Sequence, residues 1–303
     1  MINKLISQTL PYFPQKFIWQ FSKAYIAGET TQDAIDASKA LNSEKTMVTL
    51  DILGEFIENM DQARENRDEY LALIDTVEQT DVIGNYSLKP TMFGLLLDKE
   101  QCYQHIRDLV AKAASHDNFI RIDMENSPCV DDSIEMFRRL KKEFPKNVGL
   151  VLQAYLRRTL SDLESMTDLL SDEADLNFRL CKGIYVESSR IAYKDYHEIN
   201  RHYLEDLEFM IQKGMYPAIA THDKPLIQGA LDLITKYKLP KHKYEFQMLY
   251  GVTPKQRRSL VAAGHPVRVY VPFGAHWFGY STRRLKENPA MVSHILKAML
   301  GKG

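Results

Sequence analysis

Ten residues that could do chemistry recur at one kind of place in this sequence. Glu55, Lys89, Asp123, Gln153, Lys182, Tyr185, Thr221, His222, Gln247 and Tyr270 all stand at the ends of short β-branched or aromatic runs. Each can hydrogen-bond or stack, and a core built only for stability needs no such set. Asp123, in RIDMEN, points either into a shared interior or toward flanking helices. A buried carboxylate is costly without a cation, and Lys89 on the preceding run is the natural partner. Arg179 and Lys182 lie three apart in FRLCKG, so alternation puts them on opposite faces unless the chain turns at Gly183. Arg283 and Arg284 are adjacent in STRRLKENP. Paired guanidiniums can clamp a carboxylate bidentately, and nearby Trp277, Phe278, Tyr280 and Glu287 point to a folded cap there. A small anionic, partly apolar substrate suits two arginines, a lysine and tyrosines.

The elements that must carry these groups follow from periodicity. The runs occupy 47–54, 82–90, 118–126, 148–156, 177–185, 216–223, 243–251 and 266–274. Between them lie segments such as 131–144 and 203–214, with apolar residues at i, i+3, i+4 and i+7. Strands alternating with helices mean parallel pairing through crossovers. Eight such units in 303 residues predict an α/β chain folded as a (βα)8 barrel. An open doubly wound sheet is the rival, but Gly54 follows the first run alone and no G-x-G-x-x-G is present. The division expected is a helical lead-in over 1–44 and one barrel domain over 45–303. Active-site residues should then gather at the C-terminal ends of the strands.

Composition excludes other classes. A 45% hydrophobic, 26% charged chain with formal net charge -1 has the means for a large core and no basic footprint for nucleic acid. Cys102, Cys129 and Cys181 form no C-x-x-C and read as ordinary thiols. No His and carboxylate set has metal-ligand spacing, and no G-x-S-x-G elbow occurs. Pro11 and Pro14 interrupt the apolar N-terminus, which argues against a signal peptide there. That terminus reads as short packed helices or as an arm toward a membrane or partner.

The ordered motifs LDILGE, SLKPTMFG, IDMENS, LQAYLRRT, RLCKGIYVES, ATHD, YEFQMLYG and RVYVPFGAHWFGYSTRRLKENP resemble the proline dehydrogenase family, from about 45 to 290. The resemblance is to monofunctional bacterial members. It implies a flavoprotein that oxidises L-proline to 1-pyrroline-5-carboxylate by hydride transfer to FAD, the first step of proline degradation to glutamate. Electrons would pass to a membrane quinone. A cytoplasmic protein, peripheral at the inner face of the membrane, is then expected, with the apolar N-terminus or the tail NPAMVSHILKAML as the contact. Carried over residue by residue, Arg283, Arg284 and Lys89 hold the substrate carboxylate, while Tyr185 and Tyr270 wall the ring. Asp123 and Arg179 are the catalytic candidates, and Glu55 is a gate paired with Arg283. Met124, Gln153, Arg179, Cys181, Lys182 and Gly183 line the isoalloxazine or its chain. Thr221, His222, Asp223, Gln247 and Glu287 fall toward the ribityl, phosphate and adenosine parts. Asp223 stands where Asn is expected in ATHD, and Val186 where some members carry an aromatic. Rival readings are a Schiff-base aldolase using Lys182 or Lys89, a flavin barrel of the methylenetetrahydrofolate reductase kind, and a non-catalytic binding barrel.

Overall fold

The computed structural model of the chain describes residue 19 and residues 22–54, 57–279 and 281. The strands are β1 (Met47–Ile52), β2 (Gly84–Leu88), β3 (Ile120–Ile122) and β4 (Val148–Gln153). They continue as β5 (Asn177–Cys181), β6 (Tyr216–Ala220), β7 (Glu245–Leu249) and β8 (Val267–Phe273). All neighbours are parallel and β8 pairs back to β1, which closes the barrel. Every predicted run holds one strand. The runs overreach mainly at their C-terminal ends, because there the chain leaves the ladder to reach over the barrel mouth.

Helices α1 (Thr31–Ser43), α2 (Met60–Val77), α3 (Lys99–Ala114) and α4 (Val130–Glu143) precede or separate the first strands. Helices α5 (Thr159–Ser165), α6 (Tyr196–Gln212), α7 (Lys224–Lys236) and α8 (Pro254–Ala262) separate the rest. Their starts are written in the sequence. Thr30 and Asp33 form a reciprocal capping box on α1, and Asn59, Asp98 and Asp195 cap α2, α3 and α6. The apolar stripe of α4, with Ile134, Phe137 and Leu140 buried, packs on the sheet. Helix α1 covers the seam where β8 meets β1 and buries Ala34, Ile35 and Leu41. Arg257 of α8 ties that seam, donating to Thr46 Oγ1 at 2.8 Å and to Glu44. Ahead of α1, Ala27 N bonds Pro272 O and Gly274 N bonds Gly28 O, so the lead-in lies along the end of β8.

Alternation along the strands separates two kinds of residue. Val48, Leu50, Ile52, Leu88, Ile120, Ile122, Leu150, Phe178, Leu180 and Phe246 face the helices and form the hydrophobic core. The barrel interior is polar instead. Arg121, Glu245 and Arg268 fill its N-terminal end; Asp51, Ser87, Lys89, Asp123, Arg179 and Tyr270 crowd the C-terminal end. Gly149 makes room for Arg121, since a Cβ there would lie 2.5 Å from its Nη1.

Candidate active site

Interior positions on β1, β2, β3, β5 and β8 bring one charged cluster together. Arg179 Nη1 donates to Asp123 Oδ1 at 2.8 Å, and its Nη2 to Ser87 Oγ at 3.0 Å. Ser87 Oγ donates to the same Asp123 oxygen at 2.6 Å, while Tyr270 OH donates to Asp123 Oδ2 at 3.0 Å. Lys89 Nζ sits 3.1 and 3.0 Å from the two oxygens of Asp51 and 3.3 Å from Tyr270 OH. It also comes within 3.9 Å of Asp123. Burial pushes the Asp51 carboxyl above its ordinary range, and the Lys89 ammonium pulls the other way. The Asp123 carboxylate therefore finds the expected Lys89 nearby, but its closest cation is Arg179. The reason is that Lys89 is already spoken for by Asp51.

Beside this cluster opens a cavity of about 240 Å³, bordered by Met124, Gln153, Cys181, Tyr185, Thr221, His222 and Gln247 as well as by Lys89, Asp123, Arg179 and Tyr270. Gln153 Nε2 is fixed by the Glu125 carbonyl at 2.8 Å, leaving its Oε1 buried and unpartnered. Gln247 Nε2 is held by Glu245, and its Oε1 is likewise unpartnered. A neighbouring groove runs past Lys182, Gly183, Thr221, His222 and Asp223. There Lys182 is ion-paired to Asp223, whose Oδ1 lacks a partner. Thr221 Oγ1 accepts from Asp223 N at 3.1 Å. His222 Nε2 accepts from Leu249 N at 3.0 Å, so its Nδ1 carries the proton and donates to Thr253 Oγ1 at 2.9 Å.

The chain matches the family model described as "Proline dehydrogenase" over residues 34–297. It is 34% identical to proline dehydrogenase 1 of Bacillus subtilis (strain 168) over 296 residues, 95% of this chain and 96% of that one. The chain belongs to the proline dehydrogenase family. Proline dehydrogenase of Deinococcus radiodurans is 33% identical over 287 residues, covering 93% of this chain and 91% of that protein. Among solved structures, proline utilization A from Bdellovibrio bacteriovorus, inactivated by N-propargylglycine, superposes with a TM-score of 0.84 at 25% identity. That match covers 91% of this chain and 33% of the other, so the chain spans about a third of the solved protein's length.

For a member of the proline dehydrogenase family, the expected residues fall into three groups. Lys89, Asp123, Met124, Gln153, Arg179, Cys181, Tyr185, Thr221, His222, Gln247 and Tyr270 border the cavity. Lys182, Gly183 and Asp223 border the adjoining groove; Gly183 has φ +105, and a Cβ there would run into the Tyr155 ring. Arg179 and Lys182 point to different places, into the cluster and the groove, because the chain turns after β5. Glu55, Arg283, Arg284 and Glu287 lie outside the described residues, as does the expected capping helix.

Sequence reasoning passed over Asp51, Ser87, Glu125 and Tyr70. Asp51 lies between Leu50 and Ile52, so alternation alone turns a carboxylate inward. Ser87 precedes Lys89 by two and shares its face by the same rule. Glu125 holds the turn after β2, accepting from Thr91 N at 2.9 Å and Thr91 Oγ1 at 2.6 Å. Among the described residues no group of His, Cys, Asp or Glu could hold a metal ion, and no helix is long and apolar enough to cross a membrane.

Proposed function

We propose that this protein oxidises L-proline to 1-pyrroline-5-carboxylate with FAD as its acceptor, the opening step of proline degradation. The observation that carries the reading is the cluster of Lys89, Asp123, Arg179 and Tyr270 bordering the cavity, with Asp51 behind Lys89, in a member of this family. The residues present fit a flavin. The unpartnered acceptors Gln153 Oε1, Gln247 Oε1 and Asp223 Oδ1 call for N–H and O–H donors, and Lys182 offers a cation for phosphate. When bound, the flavin supplies the two-electron acceptor; the protein supplies position and electrostatics.

Oxidation removes two electrons and two protons from proline, one proton from the ring nitrogen and one from C5, leaving a C5=N bond. Arg283, Arg284 and Lys89 hold the carboxylate and so orient C5. Tyr270, fixed by Asp123, presents its ring to the pyrrolidine methylenes, and Tyr185, bordering the same cavity, completes the wall. Arg179 fixes Asp123 from below, and the arginine–lysine pocket of Arg283, Arg284 and Lys89 favours the neutral amine of a bound proline. Glu55 is assigned the role of a gate through Arg283, and Glu287 that of a contact to the adenosine end of the cofactor or to the cap. Carboxylate partners on both Lys89 and Lys182 weigh against Schiff-base chemistry, because they favour the ammonium over the free amine.

A membrane quinone would take up the electrons from a bound flavin, which would make the protein a peripheral visitor to the inner face of the cell membrane. An absorption spectrum of the purified protein before and after anaerobic L-proline tests the reading. Flavin bands that bleach on proline addition are expected; a colourless protein, or bands untouched by proline, rejects it.

A further inference from the structure

Tyr70 does something unusual for a residue on an outer helix. It is fully buried, and its hydroxyl reaches from α2 into the barrel wall between β1 and β2. There it accepts from Ile52 N at 3.1 Å and donates to Ser87 O at 2.9 Å. The ladder between these strands pairs Val48 with Gly84, Thr49 with Asn85 and Leu50 with Tyr86, and goes no further. On the other side of β1, pairing with β8 continues to Ile52 and Phe273. The phenol oxygen therefore replaces direct strand pairing at the mouth end of this one seam.

The two residues flanking that wedge inside the barrel are Asp51 and, beyond Ser87, Lys89. Asp51 Oδ1 lies 3.5 Å from the Tyr70 oxygen, and both its oxygens meet Lys89 Nζ. Lysine has three ammonium donors on a flexible four-carbon stem, so its aim depends on what holds it. Resting on the reading that Lys89 meets the substrate carboxylate, we propose that Asp51, seated by the Tyr70 wedge, is the positioning residue that aims the Lys89 ammonium at the cavity. The other charged or titratable groups around the pair are Asp123, Arg179, Glu125 and Tyr270. Asp123 is already engaged by Arg179, Ser87 and Tyr270, and Glu125 by Thr91, so neither substitutes for Asp51.

The arrangement also gives Asp51 a role that needs no contact with proline. An incoming carboxylate takes one Lys89 donor, while Asp51 keeps the stem from swinging away. Losing Asp51 should thus weaken proline capture before it slows the chemistry.

A double-mutant cycle on the whole enzyme separates this from a general structural effect. Asp51→Asn, Lys89→Met and the double variant are assayed for proline KM and kcat with a soluble dye acceptor, with flavin content and circular dichroism as folding checks. Asp51→Asn should raise KM about tenfold with a smaller effect on kcat, and should add nothing in the Lys89→Met background. Multiplying effects in the double variant, or an unchanged KM in Asp51→Asn beside a raised KM in Lys89→Met, overturns the positioning role alone. An unchanged KM in Lys89→Met overturns the reading of Lys89 itself, and this proposal with it. Should Asp51→Asn fail to fold, Tyr70→Phe keeps the carboxylate and removes only the wedge hydroxyl. It should raise KM about threefold, again only while Lys89 is present; an effect that persists in Lys89→Met rejects the proposal.

Discussion

The two ends of the barrel interior hold charged clusters of opposite purpose. At the N-terminal end, Arg268 Nε meets both Glu245 oxygens at 3.0 Å and its Nη1 donates to Val48 O. Arg121 donates to Asn177 O at 3.0 Å and Asn177 Oδ1 at 2.7 Å, with its guanidinium 4.8 Å from the Phe119 ring centre. Burial and repulsion from Arg179 pull the Arg121 pKa down to about 9. Burial pushes the Glu245 carboxyl up, but the Arg268 partnership outweighs it and holds the group below its ordinary value. At the C-terminal end the same chemistry faces a cavity, and unpartnered acceptors on Gln153 and Gln247 wait above it. Charge in a barrel is thus no sign of function by itself; charge bordering empty space is.

Breaking the lower cluster should have the largest effect, on stability alone. Glu245→Gln leaves Arg268 and Arg121 buried without a counter-ion, at a cost of about 3–5 kcal/mol read from the urea midpoint. Proline KM of the folded fraction should not change; a raised KM would show that the lower cluster reaches the site. The pH dependence sharpens the point. A carboxyl depressed in the folded state contributes stability above its unfolded pKa, and that contribution disappears as pH falls through the folded value. The gap between parent and Glu245→Gln should therefore stay constant from the ordinary glutamate range up to about neutrality, below the range where Arg121 titrates, and close in stronger acid. Denaturation curves at several pH values check this, and a gap that closes near neutrality contradicts it.

Changes at the proposed substrate contacts should move binding instead. If Arg283 and Arg284 hold the substrate carboxylate as proposed, Arg283→Met and Arg284→Met should each weaken proline binding by about 2–5 kcal/mol while FAD stays bound, through loss of a charge-assisted contact. Titration of the oxidised protein with proline measures it; parent-like binding in both variants removes the pair from the site. Tyr270→Ser should cost less, about 1–3 kcal/mol in proline KM through lost ring contact. It also gives up the bond to Asp123 and opens space, so discrimination against 4-hydroxyproline should relax. An unchanged ratio of flavin reduction rates for the two substrates takes Tyr270 out of the pocket.

The barrel was legible because alternating strands and helices leave a strong periodic trace, and because Lys89, Asp123 and Gln153 stand where strands end. Pairing was harder to read. Lys89 belongs with Asp51 across 38 residues and Arg179 with Asp123 across 56, and only closure of the cylinder sets those distances. Tyr70 left no trace at all, since a tyrosine on the apolar stripe of a helix looks like any core aromatic. The lower cluster could have been found: Arg121 and Asp123 share a face two residues apart, as do Glu245 and Gln247.

Gly149, by letting the Arg121 side chain lie across the barrel, helps stopper one end of it. The pocket is consequently a cul-de-sac. A Cβ at position 149 would strike the Arg121 guanidinium and the Phe119 ring, so any larger residue there would push the stopper aside. A glycine far from the chemistry thereby helps close the base on which the site is built.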